Sequence, residues 1–271
     1  MKKVKTVFVV VLFMGLTSIS LFAQRDYHGS SFVEYDNSPD TSKVLPSVIW
    51  APASGGGVWY TEVQIYAPTS GTEVVCFFNY GDAYRGELIW ISTMADQCYK
   101  TTNILGVMDG LDPDPGFDYY GRSGSLAFYA NGNPIQVMAR TWHSGGYAKT
   151  ICGLNYVMAN TAGSDRGLMI MNVMQSASFR TSITLYNSGD PCTAYIYIIQ
   201  NDGVVIGYIE KSLGTFGYRA FNVFAEAGLT GTYDNCWVLV YSSAGGYIFC
   251  SGATANNSTN DPAYHVAMQD N

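Results

Sequence analysis

The chain repeats itself at domain length. The run from Trp59 to Tyr66 (WYTEVQIY) returns as Phe179 to Tyr186 (FRTSITLY), which puts Thr61 and Thr181 about 120 residues apart. Asp82 and Asp202 keep that spacing, and so do Val48 and Trp50 against Leu168 and Ile170. Asn103-Ile104-Leu105 matches Asn222-Val223-Phe224 within one residue of it. A self-match held at one spacing means two copies of one structural unit. A period this long is that of a whole domain, which excludes a solenoid of short repeats.

Each copy reads as β-structure. Tyr195, Tyr197 and Ile199 alternate with Ala194, Ile196 and Ile198, and Ile183 and Leu185 alternate with Ser182 and Thr184. That period of two fits half-buried strands. Asn201-Asp202-Gly203 and Asn79-Tyr80-Gly81-Asp82 supply the turns between strands. Asn222 and Gly228 bracket a short apolar segment as N-cap and C-terminal stop, and Asn103 and Gly110 do the same in the first copy. The pattern predicts an all-β chain of two tandem, internally duplicated Ig-like β-sandwich domains, each with one short helix. The first copy is expected over 44–145 and the second over 166–271. Residues 146–165 are too apolar for a free linker and are expected to pack between the copies or add a strand to one.

Lys2, Lys3 and Lys5 precede an apolar run from Val7 to Phe13, and Leu21-Phe22-Ala23 offers a cleavage site. That is the layout of a signal peptide over 1–23, with a polar N-terminal arm over 24–43. The expected location is secreted, cell-surface or periplasmic, with no membrane span after cleavage. The net charge is −7. Removal of 1–23 would make the chain more acidic still, which argues against nucleic acid as a partner. Six cysteines, an even number, suggest disulfides in an exported protein. Cys76 and Cys98 are the pair inside the first copy. Cys152, Cys192, Cys236 and Cys250 leave three pairings open.

The second copy carries Arg166-Gly167-Leu168, Phe179-Arg180-Thr181, Leu185-Tyr186-Asn187, Asp202-Gly203, Val223-Phe224 and Asn257-Ser258-Thr259-Asn260-Asp261-Pro262. As a set these resemble the tandem β-sandwich modules of uncharacterised secreted bacterial proteins, over about 210 residues. The resemblance implies an exported, non-catalytic module, often surface-associated. The first copy departs from it, with Tyr60 where Arg180 stands and an Asp-rich insertion after Gly110.

That insertion, Asp109 to Tyr120, is the candidate site. Asp112, Asp114 and Asp118 offer hard oxygen ligands in a loop constrained by proline and glycine, which suits Ca²⁺, although the spacing is not that of an EF-hand. Tyr119 and Tyr120 beside them are the candidate ligand-contact surface. Trp59, Tyr60, Trp142 and Tyr147 are further aromatics for an exposed platform. His28, His143 and His265 stand at no metal-ligand spacing, and Gly121-Arg122-Ser123-Gly124-Ser125 is not a nucleophile elbow. No enzyme is expected, and no cofactor beyond that Ca²⁺. The reading is a secreted, non-catalytic structural or adhesive β-sandwich protein whose partner is a cell-surface protein or a glycan. The alternatives are a carbohydrate-binding module using the Ca²⁺ loop and an outer-membrane β-barrel.

Overall fold

The alternation seen in the sequence becomes alternation of burial. Along Gln136–His143 every second side chain is buried, and the same holds along most of Cys192–Ile199. A computed structural model describes residues 41–269 apart from 54–55, 146–147, 153, 156–159, 162–166, 244 and 260–261. The expected signal peptide and all but the last three residues of the expected arm lie outside the described residues.

In chain order the elements are β1 (Ser42–Pro52), β2 (Val58–Ala67), β3 (Glu73–Tyr80), β4 (Ala83–Ile91), β5 (Gln97–Thr101), α1 (Ile104–Leu111), β6 (Arg122–Ala130) and β7 (Gln136–His143). Three short strands follow, β8 (Ala148–Cys152), β9 (Leu154–Asn155) and β10 (Asn160–Thr161). Then come β11 (Leu168–Gln175), β12 (Phe179–Asn187), β13 (Cys192–Ile199), β14 (Val205–Leu213), β15 (Tyr218–Asn222), α2 (Val223–Glu226), β16 (Tyr233–Ser242), β17 (Tyr247–Asn256), β18 (Pro262–Val266) and β19 (Met268–Gln269). The described strand pairings are all antiparallel, so the chain is all-β with two short helices among the described residues.

In the first half, one layer runs β4-β3-β6-β1, and β5-β2-β7-β8 forms the other. The end of β1 also pairs with β2 through Ala51 and Trp59, which joins the layers into one nine-stranded sheet. In the second half the layers are β14-β13-β16-β11 and β15-β12-β17-β18. The two halves thus have the same strand order. Their layers face each other across two cores. Val48, Phe78 and Phe128 meet Val63, Ile65 and Val137 in the first, and Ile170, Ile196 and Val238 meet Ile183, Leu185 and Ile248 in the second. No described sheet closes on itself, in contrast to the single closed sheet of the β-barrel alternative.

The register corrects one expectation and decides another. First, β1 bulges between Leu45 and Val48, and β11 bulges between Ile170 and Val173. The bulges align Leu45 with Ile170 and Val48 with Val173, not Val48 with Leu168. A bulge adds a residue to one strand, so spacing counted along the sequence slips across it. Second, of the two alternatives expected for residues 146–165, β8 and β9 add to one of the halves. β8 pairs with β7 as β18 pairs with β17, and β9 pairs with β1 as β19 pairs with β11. The expected connector therefore supplies the last two strands of the first half, and β10 goes on to pair with β17.

One polar device ties the layers together at equivalent points. Thr61 is fully buried. Its Oγ1 accepts from Ile49 N at 2.9 Å, donates toward Ile49 O at 3.2 Å and lies 3.3 Å from Thr141 Oγ1. Thr181 Oγ1 makes the matching set with Met174 N at 3.0 Å, Met174 O at 2.9 Å and Thr254 Oγ1 at 2.8 Å. Each threonine supplies partners to a backbone unit just past a bulge, where the ladder pairing shifts. The helices cap one end of each core with Ile104, Leu105 and Met108, and with Val223 and Phe224. Asn222 Oδ1 accepts from Phe224 N and Ala225 N as an N-cap, whereas Asn103 makes no such side-chain bond.

Candidate functional site

The Asp-rich loop folds back on itself around arginines. Asp112 Oδ2 accepts from the Tyr119 hydroxyl at 3.0 Å, and its Oδ1 accepts from Asp114 N at 2.9 Å. Asp114 accepts from Arg85 Nη2 at 2.7 Å and from Gly116 N at 3.0 Å, while Arg85 Nε lies 3.9 Å from Asp112. Asp118 Oδ1 accepts from Tyr120 N at 2.8 Å. The guanidinium carbons of Arg85 and Arg122 stand 4.8 and 4.5 Å from the ring centre of Phe117. The cation paired with Asp112 and Asp114 is thus Arg85. Among the described residues no group of three or more His, Cys, Asp or Glu side chains gathers as metal ligands.

The two candidate tyrosines part ways. Tyr119 is fully buried against Phe78 and Phe117, so it offers no surface. Burial, and then the bond to Asp112, push its hydroxyl pKa far up, and it stays a neutral donor. Tyr120 is 41% exposed and packs edge-on against Trp50 at 5.3 Å. Elsewhere, Tyr60 and Trp142 stack at 5.0 Å as cross-strand partners, which accounts for them as a sheet pair.

The expected disulfides do not form among the described cysteines. Cys76, Cys98, Cys192, Cys236 and Cys250 are free thiols. Cys76 points into the first core, whereas Cys98 is exposed and its neighbour Tyr99 takes the inward position on β5. Side chains alternate across a strand, so the pair faces opposite ways. Cys192, Cys236 and Cys250 share the second core as small apolar residues. Burial pushes the Cys76, Cys192 and Cys250 thiols up, and burial with the Asp234 charge does so for Cys236, which keeps them protonated and unreactive. Cys152 lies in β8, with its side chain outside the described residues.

A second site was not anticipated from the sequence. It lies where the halves meet. The β3–β4 turn of the first half receives the β14–β15 turn of the second. Gly81 O accepts from Tyr218 N at 2.5 Å. Asp82 accepts from Arg219 Nη2 through Oδ1 at 3.1 Å and Oδ2 at 2.9 Å, and from Gly214 N at 3.3 Å. The Arg219 bond holds the Asp82 carboxyl below the usual carboxylate range, against a smaller opposing effect of burial. Tyr218 is buried, and the Ser123 and Ser47 side chains of the first half stand beside its hydroxyl. Its pKa is pushed up to about 12 by burial, with those two side chains opposing. Beside these contacts Val44 and Ala127 pack against Tyr186 and Phe249 as a third apolar cluster.

An aromatic cleft of about 360 Å³ opens next to that cluster. Phe77, Tyr84, Ala127 and Tyr129 of the first half and Tyr186 and Phe216 of the second line it, with Asn79. Tyr84 meets Phe216 edge-on at 5.1 Å across the junction. Phe216 holds φ at +60°, a region that bulky residues seldom adopt. The sequence did carry a signal for this face. β3 is apolar on both sides, with Val74, Cys76 and Phe78 inward and Val75 and Phe77 outward, and a strand apolar on both sides is covered on both.

No protein-family model matches the chain, and no curated protein matches it. Among solved structures it is similar to a lectin from Pleurotus ostreatus in complex with GalNAc. The identity is 8%, the match covers 89% of this chain and 80% of the lectin chain, and the TM-score is 0.21. A likeness at that level does not define a common fold.

Proposed function

We propose that this is a secreted, non-catalytic β-sandwich protein, structural or adhesive, built as a tandem duplication of one Ig-like unit. The copies run over about 42–155 and 167–269, and what supports this is the shared strand order of the two halves and their matching Thr61 and Thr181 devices. The single observation that carries the functional reading is the seam. Tyr218, Arg219 and Phe216 of one copy lock onto Ser47, Asp82, Ser123 and Tyr84 of the other, so the tandem is a stiff body with a fixed angle between sandwiches. A stiff pair of sandwiches suits a spacer or a presenting surface outside the cell. Its partner is a cell-surface protein.

The test is recovery of the tagged protein from intact producing cells after mild surface cross-linking, with a glycan array run on the same preparation. The proposal expects a defined surface protein in the cross-linked product and no saturable glycan signal. Saturable binding to one glycan class, with no protein partner, would replace it with the carbohydrate-binding reading.

A further inference from the structure

The outer face of the β4-β3-β6-β1 layer is where the junction cleft sits, and Asn79, which lines the cleft, carries a polar atom without a partner. Asn79 is 1% exposed. Its Nδ2 donates to Phe77 O at 3.1 Å, but its Oδ1 has no hydrogen-bond partner. Ser125 stands directly across the ladder from Asn79, is fully buried, and its Oγ also lacks a partner. Buried amide oxygens are nearly always bonded, so Asn79 Oδ1 at the cleft, with unpartnered Ser125 Oγ on the strand beside it, calls for a donor. The walls are rings. Phe77, Tyr84 and Phe216 offer edges and faces in three orientations, and Tyr84, at 52% exposed, forms the open side.

We propose that this cleft binds a small flat aromatic molecule carrying one hydrogen-bond donor, of the phenol or indole class. Rings stack edge-on and face-on with the walls. The donor meets Asn79 Oδ1. The cleft volume lies near the lower end of small-ligand sites, which run from about 300 to 1,000 Å³. A sugar fits the same space poorly. It brings several hydroxyls into walls that are almost wholly apolar, and each hydroxyl without a partner loses its water. The site stands whether or not the protein is adhesive, since its walls need only the two halves in contact, with Tyr84 and Phe216 shared between cleft and seam.

The experiment is calorimetric titration of the full exported chain with indole, phenol, N-methylindole, N-acetyltryptophanamide and N-acetylgalactosamine. Indole and phenol are expected to saturate one site with dissociation constants below about a millimolar. N-methylindole, which lacks the donor, is expected to bind about tenfold more weakly, because Asn79 Oδ1 then stays unpaired. Asn79→Ala should abolish that tenfold gap, and Tyr84→Ala, at the rim, should weaken every ring ligand. N-acetyltryptophanamide binding as tightly as indole would place the same chemistry on a protein side chain instead of a free molecule. No saturation by indole or phenol, equal binding of indole and N-methylindole, or preferential binding of N-acetylgalactosamine would each overturn the proposal. Should Asn79→Ala fail to fold, the indole and N-methylindole comparison on the unaltered chain decides alone.

Discussion

Replacing Thr181 with valine removes one oxygen and almost no volume, and it is expected to cost more than removing a methyl group. Valine keeps the β-branch and the strand preference of threonine, so local backbone propensity is unchanged. What is lost is the hub at Thr181 Oγ1. Met174 N and Met174 O, held at 3.0 and 2.9 Å, and Thr254 Oγ1 at 2.8 Å lose that partner together. Thr181 is fully buried and Thr254 is 5% exposed, so water replaces little of this without opening the sandwich. A buried polar group left unmade costs about 1–3 kcal/mol, and Met174 is only part-buried, so the expected loss is about 2–4 kcal/mol. Thermal unfolding followed by far-UV circular dichroism should show a midpoint lower by roughly 5–15 °C. Thr181→Ser is the control. It keeps the oxygen, loses one methyl and should cost about 1 kcal/mol. Thr61→Val should follow the same order with a smaller loss, since its contacts reach 3.2 and 3.3 Å. A Thr181→Val protein as stable as Thr181→Ser would refute the hub.

Four further outcomes follow from the same geometry. Burial pushes the Glu62 carboxyl up, but bonds from Gln64 and Lys100 and the charges of Arg140 and Lys100 outweigh it and hold it below its usual value. A depressed folded pKa gives stability that is present above the ordinary carboxylate range and lost as pH falls through the folded value. Urea midpoints should therefore fall between about pH 5 and pH 3 more steeply for the parent than for Glu62→Gln. Gly124→Ala should lower stability by about 1–3 kcal/mol in urea titration, because the added Cβ would stand 2.2 Å from Asn79 O and 2.5 Å from the Phe78 ring. Thiol labelling of the native protein should modify exposed Cys98 well before Cys76, Cys192, Cys236 or Cys250, and labelling after denaturation without reductant should reach all five. Millimolar Ca²⁺ should leave the melting point of the parent unchanged, since Arg85 already pairs with Asp112 and Asp114; a rise of several degrees would restore the loop as a cation site.

The sequence made the strands legible because burial on one face writes itself as alternation, and β7 and β13 are plain cases. The threonine match was legible too, since Thr61 and Thr181 do one job in two places. What the spacing hid was local. Bulges in β1 and β11 shifted the correspondence of the first strands. That residues 146–165 add a strand to one half was among the expectations, but which strands β8 and β9 pair with is a long-range match that no local pattern reports. The Asp loop was read from composition, and composition cannot show that Arg85, far upstream, supplies the counter-charge. Tyr119 and Tyr120 look alike in sequence, yet one faces the core and the other faces out. The junction cleft draws on β3, β4, β6, β12 and the turn before β15, and only docking of the halves assembles it.

The central claim is that the two halves form one body through the Tyr218 and Asp82–Arg219 seam. Differential scanning calorimetry of the full chain and of Tyr218→Ala tests it. The account predicts one transition for the parent, with calorimetric and van't Hoff enthalpies equal, and two resolved transitions once the buried Tyr218 ring is removed from the seam. Two independent transitions in the parent, left in place by Tyr218→Ala, would contradict it.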